Sequence, residues 1–186
     1  MLVLNSSAGT LLGKAPLERF ARRLAERGRT VFFVRYFDRT GTIFAGEEDI
    51  HRRWPLWNET VHDAVDFAAA HPRVRPEAIA IFGYSLGAYL AVGEATQDAQ
   101  IDAVEEIGGA LFRGDERRTP RVPPLLIMHG RADQRVQGYS RLIDDEMEEM
   151  SEHFTRTTIA WRRPRSAPSE IVASSFESEH FGIFAL

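Results

Sequence analysis

No cysteine occurs among the 186 residues, which excludes disulfides, zinc–thiolate sites and thiol catalysis. Lysine is almost as scarce: Lys14 is the only one among 23 basic residues. The formal net charge is −4, and the basic residues are scattered, so no electrostatic footprint for nucleic acid is present. No stretch approaches the roughly 18 consecutive apolar residues of a membrane span. The N-terminus, "MLVLNSSAGT", lacks the basic segment of a signal peptide. These absences lead to the expectation of a cytoplasmic protein without membrane or nucleic-acid partners. Nothing in the residues implies a metal or an organic cofactor.

What is present fits a globular protein. Hydrophobic residues make up 44% and charged residues 27%, an ordinary balance. The length suits one domain, 1–186, that buries about 70% of its extended-chain surface. Apolar runs and helical periods alternate along it. "MLVLN" (1–5) reads as a short buried strand. "APLERFARRLAERG" (15–28) aligns Leu17, Phe20, Ala21, Leu24 and Ala25 on one helix face, and Gly28 suits its C-terminal cap. "TVFFV" (30–34) has the unbroken apolar run of a strand covered on both faces. "NETVHDAVDFAAAH" (58–71) is helical, "AIAIF" (78–82) a strand and "SLGAYLAVGEA" (85–95) a helix. "IDAVEEIGGAL" (101–111) holds a further strand, "PPLLIMHG" (123–130) a strong one, and "GYSRLIDDEMEEMSEHF" (138–154) another helix. Strands separated by helices imply crossover connections and a parallel sheet. From about residue 160 the chain is rich in Pro and Ser and loses helical period, so 160–186 reads as an irregular tail, with one short strand near "TTIAW".

Chemistry concentrates in Gly83-Tyr84-Ser85-Leu86-Gly87. This is a G-x-S-x-G placed between a strand and a helix, the context that gives the motif meaning. The turn is sharp enough that side chains two before and two after the serine would collide, and glycine removes them. The hydroxyl of Ser85 then stands above the carboxyl edge of the sheet, and the N–H of Leu86 points to where an oxyanion forms. The competing reading is a Gly-Ser turn in which Ser85 only caps a helix. A serine nucleophile needs a base and an orienting carboxylate, and in the α/β-hydrolase order the acid follows the serine and the histidine comes last. Asp133 follows a strong strand. Of the six histidines, His51, His62 and His71 precede the serine and read as solvated. His129 sits at a strand end, His153 late on a Glu-rich helix, and His180 in the aromatic "FESEHFGIF". His180 is the candidate base.

The segments "LVLNSSAG", "FARRLAERGRTVFFVRYFDRTGT", "AVDFAAAHPRVRPEAIAIFGYSLGAYLA", "PPLLIMHGRADQRV" and "SEHFGIF" together resemble the dienelactone hydrolase family of the α/β-hydrolase superfamily. The resemblance runs from residue 2 to about 154, with a further match at 176–184. It implies a three-layer α/β fold with a mostly parallel sheet, and Ser85, Asp133 and His180 as a catalytic triad. It also implies a backbone oxyanion hole at Leu86 and in the loop after the first strand, where Ser7 supplies the second N–H. The founding members of the family use cysteine, so this chain resembles the serine, esterase-like branch. Relatives also carry strands ahead of this chain's first strand and a helix beyond its last residue. The expected sheet is therefore shortened at the N-terminus and the C-terminus, and its exposed edge leaves two explanations open, a homodimer that covers it or a mis-called start site.

Around the serine, "RYFDRTGTIFAGEED" (35–49) borders the site in this topology. Arg35, Tyr36, Tyr84 and Trp54 are the candidate substrate contacts, with Trp57 beside Trp54. Aromatic and apolar walls favour small hydrophobic esters or lactones, and Arg35 could hold a substrate carboxylate. The alternatives are that both tryptophans anchor their helix to the sheet and that Arg35 is an ion-paired surface residue. Two other functions stay open: a prolyl-oligopeptidase-like peptidase, and a hydrolase-like scaffold, non-catalytic or truncated.

Overall fold

The computed structural model describes residues 1–9, 14–109 and 123–128. Within them five short strands form one sheet: β1 (Leu2–Leu4), β2 (Phe32–Val34), β3 (Ile79–Tyr84), β4 (Ile101–Ile107) and β5 (Leu125–Met128). Every pairing is parallel, in the order β2-β1-β3-β4-β5. Three helices connect them: α1 (Lys14–Glu26), α2 (Glu47–Ala69) and α3 (Leu86–Gln97). The last two expected elements, the helix at 138–154 and the strand near "TTIAW", lie outside the described residues.

The two faces of the sheet bury different residues. Val3 and Phe82 pack with Leu17 of α1 on one face. Leu2, Leu4, Ile79, Ile81 and Val104 pack with residues of α2 and α3 on the other. Alternation along each strand thus feeds two helical layers, as period-two side chains on a doubly covered sheet must. α3 is the central helix: every residue from Leu86 to Thr96 is buried except the half-buried Tyr89. α1 is more loosely seated. Only Leu17 of its five aligned apolar residues is buried, and an open groove of about 640 Å³ runs between the helix and Val31, Phe33 and Arg35 at β2. Gly28 closes α1 as expected, with φ +81° and its N–H donating to Ala25 O at 3.0 Å.

α2 departs from the sequence expectation. It begins at Glu47 rather than Asn58 and runs through Pro55. Three acidic residues, Glu47, Glu48 and Asp49, occupy its first turn, where negative charge meets the positive helix end. Pro55 has no N–H to donate to the turn before it, and it sits on an exposed stretch of the helix where water reaches the backbone. No helix among the described residues is long and apolar enough to cross a membrane.

Topology places one feature ahead of any side-chain argument. From β1 the chain passes through α1 to β2 on one side, then through α2 to β3 on the other. The strand order reverses between β1 and β3, and the crevice beyond the carboxyl ends of such a pair is where open α/β sheets bind ligands. The residues there are Asn5, Ser6 and Ser7 after β1 and Ser85 after β3.

Candidate active site

Ser85 has φ 53° and ψ −117°, the only positive φ among the described non-glycine residues. Such a conformation costs on the order of 1–3 kcal/mol and persists only where its surroundings hold it. Its N–H donates to Ile107 O at 2.8 Å, and its carbonyl accepts from the N–H groups of Ala88 at 2.8 Å and Tyr89 at 3.3 Å. Those bonds lock the turn between the end of β4 and the first turn of α3.

The flanking glycines are required by contact. A Cβ on Gly83 would overlap the backbone of Gly87 and Ala88, and one on Gly87 would come within 2.5 Å of Asn5 O and 2.8 Å of Leu4 Cβ. Strand, elbow and the loop after β1 are therefore packed backbone to backbone. A third glycine, unnoticed in the sequence, does the same from β4: a Cβ on Gly109 would overlap Ala88 Cβ.

Ser85 is half-buried and makes no side-chain capping bond to α3. The capping alternative has no hydrogen bond behind it. Leu86 opens α3, and a first-turn N–H has no carbonyl within the helix to meet. Across from it, the turn after β1 is tightly organised. Gly9 N–H donates to Ser6 O at 2.9 Å and Ala8 N–H to Ser6 Oγ at 3.3 Å. Buried Asn5 donates through Nδ2 to Ser6 O at 3.0 Å. Ser7 O accepts from Ala45 N–H at 2.9 Å, which ties the 35–49 segment to this turn. That tie leaves the side chains of Ile43 and Phe44 beside it, 64% and 61% exposed.

The structure disperses the candidate substrate contacts. Tyr36 is fully buried, and its hydroxyl donates to Asn5 O at 2.6 Å. Burial pushes its phenol well above the usual range. Tyr36 supports the β1 turn from beneath instead of lining a pocket. Trp54 is buried in the α2 face of the core. Trp57 is buried beside it, donates to Thr40 Oγ1 at 2.9 Å and stacks against Tyr36 and Phe37. Both tryptophans anchor α2, the alternative the sequence left open. Arg35 is exposed and paired with Asp38 at 2.9 Å. Tyr84, half-buried, packs toward the α1 face. The sequence reading looked to other aromatics and passed over Ile43 and Phe44, whose side chains stand exposed next to the Ala45–Ser7 tie.

Asp133 and His180 lie outside the described residues, as do His129 and His153. Among the described histidines, His71 accepts from Arg73 N–H through Nδ1 at 3.2 Å. His62 was expected to be solvated, but its Nδ1 lies 2.7 Å from Glu94 Oε1, a contact that raises its pKa. Glu106 was not singled out by the sequence. It is buried at the end of β4, opposite Gly83 in register, and accepts from Gly109 N–H at 2.7 Å. Burial pushes its carboxyl up to about 7.

The sequence profile of the dienelactone hydrolase family matches residues 6–160. A polyketide transferase of Stachybotrys chlorohalonatus is 48% identical over 46 residues, a stretch covering 25% of this chain and 16% of that protein. Among solved structures, a dienelactone hydrolase-like promiscuous phosphotriesterase from metagenomic libraries is 19% identical with a TM-score of 0.63, over 86% of this chain and 68% of that one. The esterase domain of a Rhodothermus marinus protein is 16% identical with a TM-score of 0.56, over 86% of this chain and 74% of that one. At such identities the structural likeness establishes the α/β-hydrolase fold.

Proposed function

The chain belongs to the dienelactone hydrolase family, an assignment that points to an enzyme of the hydrolase type, and from that premise we propose a serine hydrolase of small carboxylic esters or lactones. The observation that carries the reading is the backbone of Ser85, held at positive φ by bonds at both ends while its side chain caps nothing. Strain at a switch-point serine has a purpose if the hydroxyl must be presented to a substrate.

In this mechanism Ser85 Oγ attacks the carbonyl carbon as His180 takes its proton. Asp133 orients the imidazole and stabilises its charged form. The N–H groups of Leu86 and Ser7 receive the oxyanion, a contribution whose loss typically slows such enzymes about 10²–10³-fold per donor. His180 returns the proton to the leaving alkoxide. Water, deprotonated by the same histidine, then attacks the acyl-enzyme and frees the acid and Ser85. Ile43 and Phe44 offer apolar surface beside the oxyanion turn, which favours short hydrophobic acyl or aryl groups over charged ones. The substrate is a small molecule, the setting is cytoplasmic, and no cofactor takes part in these steps.

Labelling by a fluorophosphonate probe tests the reading without a substrate. Wild type should label, and Ser85→Ala and His180→Ala should not. Labelling that is lost with Ser85 but kept without His180 would assign the base to another residue. A wild type that does not label would favour the scaffold.

A further inference from the structure

Glu94 and Asp98 lie at the far end of α3 from Ser85, about 14 Å or more along the helix at 1.5 Å per residue. Their side chains are only 8% and 7% exposed. Among the described residues, the one basic group within reach of them is His62, projecting from α2. Its Nδ1 is 2.7 Å from Glu94 Oε1 and 3.7 Å from Asp98 Oδ2, and its Nε2 is 4.0 Å from Asp66 Oδ2. Three carboxylates facing one imidazole leave excess negative charge even when the imidazole is protonated. Gln100 relieves part of it, donating its N–H to Asp98 Oδ1 and its Nε2 to Asp66 Oδ1, both at 2.8 Å. Buried carboxylates are otherwise neutralised by ion pairing or by a metal.

A second observation is independent of that charge. A cavity of about 260 Å³ opens beside the cluster, lined by Asn58, Glu59, His62, Glu94 and Gln97. Asn58 precedes His62 by one turn of α2, and its Oδ1 is buried without a hydrogen-bond partner among the described residues. An orphaned carbonyl oxygen, like a carboxylate, can be satisfied by a cation.

We propose that His62, Glu94 and Asp98, beside a cavity that His62 and Glu94 line together with Asn58, bind a divalent cation of the zinc type that clamps α2 to the end of α3. Their ligand atoms lie within 4.8 Å of one another. Tetrahedral ligation at about 2.0–2.2 Å sets neighbouring donors about 3.4 Å apart, so the 2.7 Å His–Glu contact opens slightly as the ion enters. The ion displaces the proton held between His62 and Glu94. An imidazole in the donor set selects zinc, cobalt or nickel over magnesium and calcium. Asp66 and Gln100 form the outer ring that orients the ligands.

Calorimetric titration of the EDTA-stripped full chain with Zn²⁺, paired with visible absorption on Co²⁺, tests the site. Wild type should bind one ion per chain, and its Tm should rise with Zn²⁺ concentration as a ligand of the native state requires. His62→Ala, at a half-exposed position, should keep the far-UV circular dichroism of wild type, weaken Zn²⁺ binding by more than about tenfold and abolish the Tm response. Glu94→Gln keeps an acceptor for His62 and should do the same; if it unfolds, His62→Ala decides. His51→Ala, elsewhere on α2, should bind as wild type does. Absent binding by wild type, binding unchanged in His62→Ala, or an equal loss in His51→Ala would each overturn the site.

Discussion

At the scale of single residues, the candidate site is a problem of backbone contact. Gly87 meets the carbonyl of Asn5 so closely that one added methyl must move either the elbow or the β1 turn. Both carry a proposed oxyanion donor, so neither can move freely. Gly87→Ala is expected to lower stability by about 1–3 kcal/mol, the usual cost of overpacking, and to slow fluorophosphonate labelling more than that stability loss accounts for. Urea unfolding and labelling rates measured on the same preparation would separate the two effects. Unchanged labelling in a folded variant would mean that the close approach of Gly87 to Asn5 plays no part in presenting Ser85.

At the scale of elements, two connections position the turn after β1. The segment between β2 and α2 reaches it through Ala45 N–H and Ser7 O, while Tyr36, two residues past β2, braces Asn5 from the core. α2 is fixed in turn by Trp57, which packs on Tyr36 and Phe37 and bonds to Thr40. The aromatic cluster thus passes the position of α2 to the carboxyl end of β1. Tyr36→Phe removes one hydroxyl and leaves Asn5 O buried with one donor fewer. It is expected to cost about 1–3 kcal/mol in urea unfolding and to reduce labelling of Ser85 with little change in far-UV circular dichroism. A loss below about 0.5 kcal/mol, the size of a neutral surface change, would show that the bond does not brace the turn.

At the scale of the whole molecule, Glu106 links the stability of the fold to pH. Its carboxyl titrates near 4.5 when unfolded and is pushed up to about 7 by burial. Below about pH 4.5 both states hold the proton and burial carries no ionic penalty. As pH rises toward 7 the unfolded state gives up its proton first, so stability falls. Above about 7 the penalty is complete, on the order of 3 kcal/mol. Glu106→Gln keeps an acceptor for Gly109 N–H and removes the ionisation. Urea unfolding at pH 5 and pH 8 should therefore show a smaller decline for the variant than for wild type, and equal declines would place the Glu106 titration outside this range.

Much of this was legible without coordinates, because it depends on short stretches of chain. Continuous apolar runs separated by helical periods specify a parallel α/β sheet wherever they occur, and glycines two residues either side of Ser85 mark a sharp elbow. The family followed from the same local motifs. α2 was misjudged at its start because Pro55 reads locally as a helix breaker, whereas a proline on the exposed side of a helix with an acidic first turn is tolerated. The roles of Tyr36, Trp54, Glu106 and His62 were not legible for a different reason. Each depends on segments distant in sequence: Asn5 for Tyr36, the sheet for Trp54, Glu94 for His62, and, for Glu106, whose hydrogen-bond partner Gly109 is a near neighbour, the packing that buries it. The sequence by itself determined the periodicities, the elbow and the family, since those reside in neighbours along the chain. Only the tertiary structure decided which aromatics are core, which carboxylates are buried and what each of them faces, since burial and charge pairing exist only once distant segments share a space.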